Sequence, residues 1–148
     1  MSVEQEIEML ARLPMFGQLE DEALRVLAFA LDSVRLSTGD YLFKKGDLSE
    51  AGYFVLSGSI AIIKDNIEAR IVYPGALIGE MALLAQSRLR YAAQAREQVS
   101  VLKISRTLFT RILREYPGSA IRIRAAIEDS LNAFVTELDK FESGARLG

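Results

Sequence analysis

Between Ile78 and Ala92 the chain gathers residue types that can hold an anion. Gly79 precedes Glu80-Met81-Ala82-Leu83-Leu84, a short apolar run that reads as a helical turn entered from a strand. A glycine at such a junction lets a ligand come close to the backbone, because no Cβ stands in the way. The N–H groups of Glu80, Met81 and Ala82 would then open the turn without partners inside it, which makes an anion site. Arg88 and Arg90 follow in the same segment. Either guanidinium can return and clamp two phosphate oxygens, a task its planar fork suits. Glu80 is out of place beside an anion unless its carboxylate accepts from a neutral donor such as a sugar hydroxyl. Together these groups ask for one phosphate and one nearby hydroxyl, as a ribose 3′,5′-cyclic phosphate carries. Ile78, Met81, Tyr91 and Ala92 complete the candidate lining. Taken alone, the same residues also read as a plain turn with solvated arginines.

Composition removes most competing chemistry. The chain has 148 residues, a size that suits one domain, and half of them are hydrophobic. It has no cysteine and no histidine. Zinc fingers, iron–sulfur clusters, cysteine nucleophiles, Ser-His-Asp triads and His-ligated barrel oxygenases are therefore set aside. No catalysis, metal or cofactor is expected. The net charge of −2 and pI near 5.3 argue against a surface built to grip nucleic acid. There is no apolar run long enough to span a bilayer. The acidic start, Met1 to Glu8, lacks the pattern of a cleavable leader. A soluble cytoplasmic protein is the expectation.

The elements that must position the segment follow from periodicity. Residues 1–32 read as helices: Ile7, Leu10, Ala11 and Leu13 share one face, Pro14 interrupts, and Ala23, Leu24, Leu27, Ala28 and Leu31 form a second apolar stripe. Residues 33–104 hold short apolar runs separated by glycines: Asp40–Phe43, Tyr53–Leu56, Ser59–Ile63 and Arg70–Tyr73, then Tyr91–Ala95 and Val99–Ile104. Many short strands with frequent turn signals predict a β-roll or jelly roll. The whole is an α+β fold, with this roll flanked by helices at both ends. Residues 105–148 return to helix, with Ser105 as a cap and Leu108, Phe109, Ile112 and Leu113 on one side. Pro117-Gly118 should end that helix and Ser119 should cap another reaching about Glu142. In it Ile127, Leu131, Phe134, Leu138 and Phe141 make a narrow seam of the coiled-coil kind. Homodimerisation through Ile127, Leu131, Phe134 and Leu138 is expected, with packing back on the roll as the other use of that seam.

With these residues in view, the chain resembles the cyclic-nucleotide-binding domain family, which includes the cAMP receptor protein, protein kinase A regulatory subunits and cyclic-nucleotide-gated channels. Ile78–Leu84 is similar to the start of that family's phosphate-binding cassette, and Arg90 stands eleven residues after Gly79, as the cassette arginine does. Leu13-Pro14-Met15-Phe16, Gly39–Phe43, Lys45-Gly46-Asp47, Tyr53–Ile60 and Pro74-Gly75 match further family motifs in order, so the likeness covers nearly the whole chain. It implies that Gly79 and Glu80 offer backbone N–H groups and that the Glu80 carboxylate takes the ribose 2′-OH. It further implies that Arg90 pairs with the phosphate and that Ala92 lines the pocket through its backbone. The ligand implied is cAMP or cGMP.

The chain also departs from the pattern. Family members often carry Pro-Arg-Ser-Ala or Pro-Arg-Thr-Ala at the cassette's end, whereas this chain reads Arg88-Leu89-Arg90-Tyr91-Ala92. Tyr91 replaces the small hydroxyl residue, which favours cAMP over cGMP. Arg90 is preferred over Arg88 as the phosphate partner. By the resemblance the last helix covers the base, with Arg124, Phe134 and Thr136 as candidates by position, and signals to an unidentified effector by shifting its position. The family's transcription factors continue into a helix-turn-helix. The chain stops at Gly148, so direct DNA binding by that route is not expected. The competing expectation is a degenerate member, a dimerisation or protein-interaction module with an empty pocket.

Overall fold

The structure, a computed structural model, describes residues 2–126, 128 and 129. Three helices are bounded within it: α1 (Val3–Ala11), α2 (Asp21–Ala30) and, after the strands, α3 (Arg106–Glu115). Ser2 caps α1 through a reciprocal capping box with Gln5. A 3-10 turn, Phe16–Gln18, follows the Pro14 interruption and leads into α2. Ser105 caps α3 as expected, its hydroxyl accepting from the Leu108 N–H at 3.1 Å.

Eight strands lie between α2 and α3: β1 (Asp32–Leu36), β2 (Tyr41–Phe43), β3 (Ala51–Ser57), β4 (Ile60–Lys64), β5 (Ile67–Val72), β6 (Leu77–Ile78), β7 (Ala92–Ala95) and β8 (Val99–Ser105). They form two antiparallel four-stranded sheets, in the orders β1-β8-β3-β6 and β2-β7-β4-β5. This is the expected jelly-roll arrangement with flanking helices. Two strands exceed their sequence expectation. β1 carries only Val34 and Leu36 as apolar residues, and β5 begins at Ile67 rather than Arg70. The β4–β5 turn is made by Asp65 and Asn66, at φ 51° and 63°, where short polar side chains replace glycine.

The central strands of the first sheet, β8 and β3, are buried on both faces. Val55, Ile78, Val99 and Val101 of the first sheet point to the second, and with its Phe43, Ile60, Ile62 and Val72 they fill the space between the sheets. Phe54, Leu102 and Ile104 point the other way, under Leu10, Phe16, Leu27, Phe109 and Ile112 of the helical layer. Alternation along β3 and β8 produces this two-sided burial. Phe16 and Phe109 meet edge to face at 5.9 Å.

After α3 the chain turns at Tyr116 and is helical again over residues 117–126. This corrects the expectation for Ser119. Pro117 opens the helix, where its missing N–H costs nothing, so Ser119 lies inside. Its buried hydroxyl instead accepts from the Glu20 N–H at 2.9 Å, tying this helix to the start of α2. The seam residues Ile127, Leu131, Phe134, Leu138 and Phe141, and also Thr136, lie outside the described residues. Arg124 is described and is exposed. Among the described residues, no helix is long and apolar enough to cross a membrane.

Candidate functional site

The segment Ile78–Ala92 leaves the end of β6, crosses the mouth of the roll and enters β7. Ile78 is fully buried between the sheets, so its side chain anchors the segment instead of facing outward. Gly79 turns the chain at φ 77° and ψ 35°, in the left-handed region. A Cβ there would lie 3.3 Å from the Ala51 carbonyl oxygen of β3. Close approach at Gly79 is thus already demanded by the protein's own neighbouring strand.

Glu80–Leu83 forms a 3-10 turn. The Ala82 N–H donates to the Gly79 carbonyl at 3.0 Å, closing the first turn. This corrects the expectation of three free N–H groups. In a 3-10 turn the i→i+3 bond begins one residue earlier than the α-helical bond, leaving the N–H groups of Glu80 and Met81 outside the ladder. Ala82 and Leu83 are buried, whereas Glu80 and Met81 are exposed.

Arg106, the first residue of α3, holds this turn from behind. Its part-buried Nη1 donates to the carbonyl oxygens of Ser49 at 2.9 Å and Ala82 at 3.2 Å. Its backbone N–H donates to the Glu50 carbonyl at 2.9 Å. The β2–β3 loop, the 3-10 turn and the start of α3 therefore share one guanidinium.

The β2–β3 loop also pairs with the arginine-bearing stretch. The Gly46 N–H donates to the Leu89 carbonyl at 2.7 Å, the Leu89 N–H to Asp47 at 2.8 Å, and the Ser49 N–H to Ser87 at 2.8 Å. Leu89 and Tyr91 turn toward the core between the sheets, and Arg88 and Arg90 are exposed. Tyr91 is half-buried with its ring edge-on to Phe43, centroids 5.4 Å apart. Burial raises its phenol pKa above the ordinary value, with Arg70 opposing, so the hydroxyl stays neutral near pH 7.

A cleft of about 250 Å³ opens along this segment. It brings together Gly79, Met81, Ala82, Arg88, Arg90 and Tyr91 of the expected set. Glu80 lies outside its lining, and Ala92 lines an adjacent depression with Tyr41, Lys45 and Asp65. Its charged lining is cationic: Lys64, Arg88 and Arg90. The two arginines are not equivalent. Arg88 Nη1 donates to the Gly46 carbonyl at 2.9 Å, whereas among the described residues Arg90 makes no ion pair. Lys64 at the end of β4, and Ser49 and Ser87, complete the polar lining. Sequence reading missed Lys64 and Ser49 because they reach the cleft through strand and loop pairings remote in the chain, and it passed over Ser87, which lies within the segment beside Arg88.

A larger cavity, about 550 Å³, lies on the outer face of the first sheet and is lined by Glu6, Arg35, Ser57 and Ser100 among others. It holds no residue of the expected set and mixes acid with base, so the smaller cationic cleft is the better anion site. Among the described residues no cluster of His, Cys, Asp or Glu is arranged to hold a metal.

Comparison with known proteins points to one class. The cyclic nucleotide-binding domain profile matches residues 33–116, from β1 to the end of α3. The lysophospholipase nte1 of Neurospora crassa is 31% identical over 137 residues, covering 88% of this chain and 9% of that protein. A cAMP-dependent protein kinase regulatory subunit of Yarrowia lipolytica is 28% identical, covering 67% of this chain and 26% of its own length. The chain thus spans only about a tenth of the length of the first curated relatives it matches. Among solved structures, a cyclic nucleotide-binding-like protein from Brucella abortus superposes with a TM-score of 0.70 at 35% identity, over 74% of this chain and 98% of that one.

Proposed function

The chain belongs to the cyclic nucleotide-binding domain family, and on that premise we propose that it is a non-catalytic sensor that takes a cyclic nucleotide in the cleft along Ile78–Ala92. The observation that carries this reading is the cleft itself, which gathers six of the expected residues around an exclusively cationic charged lining. Arg90 pairs with the cyclic phosphate, assisted by the N–H groups of Glu80 and Met81. The Glu80 carboxylate accepts from the ribose 2′-OH on closure, and Ala92 contributes backbone at the margin. cAMP is preferred to cGMP, because Tyr91 occupies the position from which a small hydroxyl would serve the guanine. Binding favours one position of the C-terminal helix, which an effector protein then reads. Self-association runs through Ile127, Leu131, Phe134 and Leu138.

Calorimetric titration with cAMP and cGMP tests the reading. Saturable heat is expected for both, with cAMP tighter. Ligand at about 100 times Kd should add about 2.7 kcal/mol of stability. No heat and no thermal shift at millimolar ligand would sink it.

One observation favours a second reading, a dimerisation or interaction module with no nucleotide. The cleft of about 250 Å³ is just below the usual range of roughly 300–1,000 Å³ for small-molecule sites. The same titration separates the two.

A further inference from the structure

We propose that Ser87 is a ligand-binding residue whose hydroxyl, aimed by Ser49, donates to a phosphate oxygen of the anion held in the cleft. This rests on the nucleotide reading of the cleft and names a donor for it outside the segment's arginines.

Ser49 and Ser87 both line the cleft, and they are linked three times. The Ser49 N–H donates to the Ser87 carbonyl at 2.8 Å, the Ser87 N–H donates to Ser49 Oγ at 3.0 Å, and the two Oγ atoms lie 3.3 Å apart. The oxygen pair alone does not say which hydroxyl donates. Burial decides it. Ser49 is 4% exposed and its oxygen already accepts the Ser87 N–H. Its own hydrogen needs an acceptor, and Ser87 Oγ is the side-chain oxygen within reach. With Ser49 donating, Ser87 Oγ is the acceptor of that pair and its own hydrogen is left over. Ser87 is exposed, so that hydrogen points to solvent in the cleft.

The result is a short donor chain, from the Ser87 N–H through the Ser49 hydroxyl to the Ser87 hydroxyl. Each bond polarises the next, so the terminal O–H is a better donor than an isolated serine. It ends in a cleft whose charged side chains are Lys64, Arg88 and Arg90, where an anion is the complementary guest.

The test is titration of purified Ser87→Ala, Ser87→Thr and Ser49→Ala with cAMP and with the two cAMP phosphorothioate diastereomers, each variant first shown to melt like the wild type without ligand. Ser87→Ala should weaken cAMP binding by about tenfold or more, as expected for losing a hydrogen bond to a charged group. Ser87→Thr should restore most of it. Ser49→Ala should weaken binding less, and Ser49→Ala with Ser87→Ala together no more than Ser87→Ala alone. Sulfur accepts hydrogen bonds poorly, so one diastereomer should lose little on Ser87→Ala, because its contact is already lost. If wild type binds and Ser87→Ala binds within about twofold of it, or loses equally for cAMP and both diastereomers, the inference is overturned while the nucleotide reading stands. If wild type binds neither cAMP nor cGMP, that reading falls and the inference with it.

Discussion

Arg88 and Arg90 sit two residues apart on a stretch whose intervening residue, Leu89, turns inward, so both guanidinium groups are presented on the outer side. Their surroundings differ. Arg88 donates to the Gly46 carbonyl and joins the bridge between Leu48 and its own backbone, which gives it a task in holding the β2–β3 loop. Arg90 has no such bond among the described residues and lines the same cleft. Arg90→Ala should therefore reduce cAMP affinity by about ten- to a hundredfold, with little change in the melting temperature of the free protein. Arg88→Ala should change affinity by less than about threefold and lower stability by about 1 kcal/mol for the lost loop bond. Calorimetry and thermal melts on the two variants check both statements, and a reversed order would move the phosphate partner to Arg88.

At the scale of elements, the turns show how specifically the backbone is constrained. Gly58, between β3 and β4, has φ 80°, and a Cβ on it would lie 2.4 Å from the Gln98 carbonyl oxygen. Gly58→Ala combines left-handed strain with a clash against backbone and should cost about 2–4 kcal/mol, measurable by denaturant unfolding. A loss below about 0.5 kcal/mol would mean that the turn relaxes freely. The glycines and the central strands β3, β4 and β8 were legible in the sequence, because apolar runs between glycines need no partner to be recognised. β1 was not, since Asp32-Ser33-Val34-Arg35-Leu36 takes its strand form from pairing residue by residue with β8. The start of β5 was hidden for a similar reason: Ile67 to Arg70 is exposed, and its turn uses Asp65 and Asn66 in place of glycine. In the candidate site, the stretch from Gly79 to Ala92 was visible by residue type and spacing. Ser49 and Lys64 were not, because only the folded β2–β3 loop and β4 bring them to it, and the role of Ser87 was hidden because it depends on the pairing with Ser49.

The described residues form three layers: helices, a first sheet whose central strands β8 and β3 are buried on both faces, and a second sheet. The candidate cleft lies where the chain passes between the sheets, and Arg106, the first residue of α3, bonds the carbonyls of two of its lining residues, Ser49 and Ala82. Under the proposed function, a shift of the 3-10 turn on ligand binding would reach α3 through the Arg106 guanidinium, which holds the Ala82 carbonyl. Self-association through Ile127, Leu131, Phe134 and Leu138 is the proposed use of the seam read from the sequence. Light scattering with size exclusion should give a dimer, and a monomer at every concentration tested would contradict the seam. The position of Tyr91 has one more consequence. The chain has five tyrosines and no tryptophan, so tyrosine emission is not masked by indole. Tyr91 stands half-buried in the cleft wall, where an arriving purine would change its surroundings directly. Tyrosine emission should therefore change as cAMP is added, and emission that stays flat at saturating cAMP would mean that no purine reaches the Tyr91 wall.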